Sequence, residues 1–219
     1  MTIAERLVAV RSRIREAARA CGRDPSGFHL IAVSKMHPPE AITEAYAAGQ
    51  RAFGENYAQE FSAKVAALAH LTDVEWHFIG HLQTNKVKLL AGCHTVHSID
   101  SLRLAEALAS RNVALRTFVE VNLGGEASKS GCPEALMPTV VDRIRSASML
   151  TFAGLMTMPP PGDRALAAQL FARLEHLARA IRRPGEKVEL SMGMSEDLEV
   201  AVAHGATQVR IGTAIFGRR

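Results

Sequence analysis

Ile3, Leu7, Val10 and Ile14 recur at intervals of three and four, the spacing of one helix face. The pattern predicts an opening helix that stops at Cys21-Gly22, where glycine suits a left-handed helix end. Beyond it the rhythm changes to short apolar and β-branched runs. They stand at 29–34 (HLIAVS), 51–55 (RAFGE), 74–80 (VEWHFIG), 94–99 (HTVHSI), 115–122 (LRTFVEVN), 150–156 (LTFAGLM), 187–192 (KVELSM) and 207–212 (TQVRIG). Seven segments of helical spacing separate them, among them PPEAITEAYAAG, NYAQEFSAKVAALAH, TNKVKLLAG, DRALAAQLFARLEHLARAI and SEDLEVAVAHG, each where a parallel crossover helix would sit. Strands alternating with helices, several of them almost continuously apolar, predict an α/β protein with a parallel sheet covered by helices. Eight repeats favour closure into a (β/α)8 TIM barrel carrying an extra N-terminal helix. The alternative is an open doubly wound sheet, disfavoured because no G-x-G-x-x-G opens the first βα turn.

No linker or low-complexity segment divides residues 1–219, so one domain is expected; the run Met158 to Gly162 reads as a stiff loop between a strand and a helix. With 47% hydrophobic residues and a net charge of +4 the chain is not of a disordered class. The basic balance suits small anionic ligands, while the lack of Lys/Arg runs and the low aromatic content argue against a nucleic-acid binder. No apolar stretch is long enough to span a membrane, and the charged, helically spaced N-terminus does not read as a secretion signal. Cys21, Cys93 and Cys132 are odd in number and lack C-x-x-C spacing, which argues against a disulfide framework or structural zinc and leaves the cytoplasm as the expected compartment.

In such a barrel reactive groups gather at the C-terminal ends of the strands. The residues there are polar: Ser34 and Lys35, Glu55 and Asn56, His77 and His81, Ser98 and Asp100, Asn122, Ser191, then Arg210, Gly212 and Thr213. Position alone leaves Lys35 two readings, a solvated lysine at a strand end or a partly desolvated amine able to attack an aldehyde. The stretch LSMGMSEDLEVAVAHGATQVRIGTAIFG ends two strands in succession with hydroxyls and glycines, as a phosphate site after strands seven and eight would require. It also admits a plainer reading, in which Ser195 caps a helix beginning at Glu196 and Gly212 permits close packing. Arg210 alternates with Val209 and Ile211; it either pairs with a helix carboxylate outside or faces inward toward an acceptor on a bound cofactor. His77 and His81 are four apart, but on a strand entering a turn that spacing does not aim both rings at one point, so no metal is expected. Cys93 beside His94 reads as a core cysteine rather than a thiol–base pair, since neighbours on a strand face opposite ways.

The strings AVSKMHP, FGENYAQE, WHFIGHLQTNK, VNLGGEASKSG, GLMTM and LSMGMSEDLEVAVAHGATQVRIGTAIFG together resemble the YggS/PROSC family of pyridoxal-phosphate-binding proteins, the pyridoxal phosphate homeostasis proteins. The likeness extends from about residue 3 to the C-terminus. It implies a barrel similar to the N-terminal domain of alanine racemase. It further implies that Lys35 carries pyridoxal 5'-phosphate as an internal aldimine and that Arg210 faces the pyridine nitrogen. Ser191, Gly212 and Thr213 would hold the phosphate with the backbone around Gly193, and Asn56 would lie near the reactive end of the cofactor. Met36 stands where many relatives carry threonine and, beside the lysine, would alter the pocket wall.

The implied role is maintenance of the vitamin B6 cofactor supply without established turnover, with pyridoxal-phosphate-dependent apoenzymes as prospective recipients and a monomer as the expected state. A weak amino-acid racemase is the alternative. A charged arginine at the pyridine nitrogen would mute carbanion chemistry, and racemisation needs a second acid–base group. In alanine racemases that group comes from a C-terminal domain and the adjoining subunit, and no such domain is expected in a chain that closes at Arg219.

Overall fold

The computed structural model describes residues 1–125 and 130–218. Part of the string VNLGGEASKSG therefore lies outside the described residues. Eight parallel strands close in sequence order into a barrel: β1 (His29–Val33), β2 (Ala52–Glu55), β3 (Glu75–Phe78), β4 (Thr95–Ile99), β5 (Leu115–Glu120), β6 (Leu150–Met156), β7 (Glu189–Ser191) and β8 (Gln208–Ile211). All eight fall within the runs picked out by hydrophobic patterning. The opening helix α1 (Ile3–Ala20) also matches its expected span; Thr2 and Glu5 form a reciprocal capping box, and Leu7, Val10, Ile14 and Ala18 are buried. It packs against α2 (Pro39–Ala47) and against two short helices near the C-terminus, α7 (Leu198–Ala203) and α8 (Thr213–Phe216). The remaining crossovers are α3 (Ala58–Ala67), α4 (Leu102–Ala109), α5 (Met137–Arg145) and α6 (Arg164–Ile181).

Three segments differ from expectation. The stretch Thr84–Leu89 is a 3-10 helix, with only Val87 buried. A six-residue segment gains little from α-nucleation, and the larger rise per residue of a 3-10 turn lets it cover the distance between strands. Helix α7 starts at Leu198 rather than Glu196, because residues 195–197 form a turn in which the Met194 N–H donates to Asp197 Oδ1 at 2.6 Å. Helix α8, after the last strand, has no counterpart in the pattern.

Most of the core lies between strands and helices; a small apolar cluster of Phe118, Ala153 and Met156 sits apart from it. Many of the other buried groups along the barrel axis are polar, His77, His97, Ser191 and Arg210 among them, with Ile31 as an apolar exception. Pairing of Ile31 with Arg210 and of His29 with Gln208 stacks Gln208 and Arg210 on one face of β8, while Val209 and Ile211 join the outer core. No described helix is long and apolar enough to cross a membrane.

Candidate functional site

A cavity of about 520 Å³ opens at the C-terminal ends of the strands. Lys35 stands two residues beyond the end of β1 and lines this cavity, half-buried. Its loop is held from behind by buried charge. The Lys64 ammonium donates to the Ser34 carbonyl at 2.8 Å and to Glu55 Oε1 and Glu60 Oε1 at 2.7 Å each. The Ser34 hydroxyl also donates to Glu55 Oε1, at 2.6 Å, and the Met36 N–H donates to Glu60 Oε1 at 2.5 Å. Burial outweighs these partners and pushes the Glu55 carboxyl above its usual range.

Met36 itself takes a left-handed φ of 61°, which turns its side chain outward to 61% exposure. It is not among the cavity-lining residues, so the expectation that it reshapes the pocket wall is corrected.

Arg210 resolves the two readings left by alternation, since it faces inward and is buried in the cavity floor. Its Nη1 donates to Ser191 Oγ at 2.6 Å and its Nη2 to the Thr157 carbonyl at 3.2 Å. Burial draws its pKa down to about 10, against the pull of Glu120 and Asp197, so the guanidinium stays charged at neutral pH. Ser191 is fully buried beneath the floor, with Oγ also 2.8 Å from His97 Nδ1. Its hydroxyl thus supports Arg210 and does not line the cavity.

Gly193 is likewise not on the cavity wall. Its φ of +96° suits glycine, and a Cβ there would stand 2.6 Å from that of Ala201, so it sets the turn that carries Met194 and Ser195 to the cavity. Gly212 and Thr213 do line it, at the start of α8. Ser195 lines the cavity instead of capping a helix, and its carbonyl accepts from Arg13 Nη2 at 3.1 Å. Asn56 reaches the same space, and its Oδ1 is buried with no hydrogen-bond partner among the described residues. Gly80 allows this approach, since a Cβ there would fall 2.1 Å from the Asn56 carbonyl oxygen.

Several contributors to the cavity are absent from the strand-end list, and four of them shape it most directly. Pro160 and Pro161 make the stiff loop into a wall, His37 stacks near Phe216 at a centroid distance of 5.1 Å, and Glu120 ends β5 beside the floor. The alternation of β5 was the available signal for Glu120, because it shares a face with Phe118. Burial pushes the Glu120 carboxyl up to about 7 from 4.5, with Arg210 opposing and Asp100 adding to the rise. The folded chain then keeps a proton that the unfolded chain releases, so stability present below about pH 4.5 is lost as pH rises through 7. The loss amounts to about 3 kcal/mol in all. Urea unfolding of Glu120→Gln should lack this component of the pH profile; an unchanged profile would show that Glu120 does not titrate in that window.

The histidines separate as the strand reading expected. His81 sits at the cavity rim, 3.3 Å from Asp100, whereas His77 is inside the barrel. There His77 Nδ1 lies 2.9 Å from His97 Nε2, and the His97 ring stacks on Phe118. Burial holds His77 down to about 4 and His97 well below the usual histidine range, so both are neutral at pH 7. Cys93 is buried in the core, with its thiol pushed up to about 12.

A closed parallel barrel, a lysine at the mouth beyond its first strand and a buried arginine on its last define the class of alanine-racemase-like barrels, and residues 6–219 match the family "Alanine racemase, N-terminal domain". Across its whole length the chain is 47% identical to a pyridoxal phosphate homeostasis protein of Pseudomonas aeruginosa, covering 96% of it. PipY of Synechococcus elongatus, solved without PLP, matches at 39% identity and TM-score 0.87, over 99% of this chain and 100% of PipY. The structure of PipY with PLP bound matches at 38% identity and TM-score 0.85, with the same coverage. The chain belongs to the pyridoxal phosphate homeostasis protein family.

Proposed function

We propose that this chain binds pyridoxal 5'-phosphate in the mouth of the barrel and serves the homeostasis of that cofactor in the cytoplasm, with apoenzymes as recipients. The observation that carries the reading is that a lysine amine and a buried, charged guanidinium open on one cavity that the last two βα turns also line. Three features fit the group: the unpartnered Asn56 Oδ1, the glycine at 212 and the cavity volume. When bound, the cofactor would supply an aldehyde and an anionic phosphate; Lys35, once its amine is deprotonated, would hold the aldehyde carbon as an imine, with the carbonyl oxygen released as water. Arg210 receives the pyridine nitrogen as a fixed donor, Gly212 and Thr213 with the backbone at 194–195 hold the phosphate, and Asn56 orients the reactive end. Ser191 and Gly193 act from behind, one bracing Arg210 and the other shaping the turn.

A guanidinium at the pyridine nitrogen opposes its protonation and so weakens the electron sink that racemisation needs, which favours a carrier over a catalyst. Deuterium exchange at the α-carbon of D- or L-alanine should stay at background.

The phosphate grip is tested by titrating the apo chain with pyridoxal 5'-phosphate and with pyridoxal. Charge-assisted hydrogen bonds contribute about 1.5–3 kcal/mol each, so two of them make the phosphorylated form bind about 100-fold tighter or more. Equal affinity for the two would overturn the phosphate assignment.

A further inference from the structure

We propose that the opposite, N-terminal mouth of the barrel holds a second site, in which His29 Nε2, Glu75 Oε2 and His77 Nε2 bind a divalent cation of the zinc class. His29 opens β1, Glu75 opens β3, and His77 stands two residues further along the same face of β3. The three ligand atoms lie within 4.8 Å of one another. His29 Nε2 is 3.1 Å and His77 Nε2 3.8 Å from Glu75 Oε2. Ligands about 2.0–2.1 Å from a tetrahedral zinc stand about 3.3 Å apart, so small side-chain adjustments suffice.

Two observations make this more than a cluster of polar residues. Both Nε2 atoms are buried with no hydrogen-bond partner among the described residues, and His77 is only 2% exposed, so a nitrogen inside the barrel stands 3.8 Å from the carboxylate, beyond hydrogen-bond reach of it. The His29 nitrogen is near enough to Glu75 for a hydrogen bond but lies off the direction one requires. Nitrogens that converge on a carboxylate without hydrogen bonding to it are placed as metal ligands are. Two neighbouring donors do not compete for Glu75, because the Arg116 guanidinium and the Gln208 amide are both engaged by Glu189, at 3.2 Å and 2.8 Å.

The support behind His77 fits the same reading. A metal-bound histidine normally donates its other ring N–H to an acceptor that fixes its tautomer. Here Nδ1 of His77 meets Nε2 of His97, and Nδ1 of His97 meets Ser191 Oγ. When His77 Nδ1–H donates to His97 and His97 Nδ1–H donates to Ser191, the Nε2 lone pair of His77 is left facing Glu75. The serine oxygen can accept from both His97 and Arg210. Two imidazoles and one carboxylate, with water completing the shell, suit zinc and its cobalt substitute better than calcium or magnesium. At this end of a barrel such an ion contributes stability rather than chemistry.

The site is tested on the full chain, stripped with EDTA and titrated with zinc chloride by calorimetry and with cobalt chloride by visible absorption. One ion per chain is expected, with the d–d bands of a tetrahedral site. Since losing even an outer partner costs about 10- to 100-fold in metal affinity, losing a ligand should cost about 100-fold or more. Glu75→Gln and His29→Gln are the variants of choice, because both side chains are partly exposed and the fold does not depend on them as it does on His77. His176→Gln, exposed on α6, should bind zinc as the unaltered chain does. Absence of binding, or zinc and cobalt affinities unchanged in both ligand variants, would overturn the proposal.

Discussion

Replacement of Lys64 by methionine should destabilise the fold by about 3–5 kcal/mol, the cost of leaving one partner of a buried ion pair without the other. Lys64 and Glu55 are both buried, and Glu55 Oε2 already has no hydrogen-bond partner among the described residues. Without the ammonium, Glu55 keeps only the Ser34 hydroxyl among its hydrogen-bond partners, and its already raised pKa should climb further. The Ser34 carbonyl loses one of its two donors in the same step, keeping only the His37 N–H, and Glu60 loses the contact that holds it against the Met36 N–H, so the loop that presents Lys35 loosens as well. Urea unfolding measures the effect directly. Pairing Lys64→Met with Glu55→Leu should recover most of the loss, since an apolar pair of similar volume carries no desolvation penalty. A loss below about 1 kcal/mol in the single variant would mean that the cluster is not the support described.

The second large effect is functional. Lys35→Ala should abolish covalent attachment of pyridoxal 5'-phosphate, while the residual non-covalent affinity rests on Arg210 and the last two turns. Lys35 is half-buried at the cavity mouth, outside the apolar core, so the stability change should stay within about 1 kcal/mol. Loss of the Schiff-base absorbance with an unchanged circular dichroism spectrum is the expected pair of results. Retention of the absorbance in the variant would move the attachment to another lysine.

The strands were legible because parallel strands covered by helices must be apolar on both sides, and runs such as HLIAV and TFAGLM are of that kind. Lys35, Arg210, Gly212 and Thr213 were legible for a different reason, since strand ends in a closed barrel converge on one mouth whatever their order in the chain. Groups paired across strands could not be read in the same way. Lys64 meets the Ser34 carbonyl across 30 positions of sequence, and nothing in the helical pattern of AQEFSAKVAA marks its lysine as buried.

The interior histidines make the same point. Spacing directed attention to the pair His77 and His81, which the barrel separates, while the residues that do meet His77 are His29 at the start of β1, Glu75 at the start of its own strand and His97 on β4. The family resemblance implies Ser191 as a phosphate ligand, but strand alternation turns its hydroxyl under the floor toward His97 and Arg210.

The account depends above all on which amine the cofactor occupies. Reduction of the pyridoxal 5'-phosphate complex with borohydride, followed by peptide mapping, converts a Schiff base into a stable secondary amine at the residue that formed it. The predicted result is one pyridoxyl group per chain, on the peptide containing Lys35. A label distributed over Lys86, Lys88 or other lysines, with Lys35 unmodified, would contradict the account.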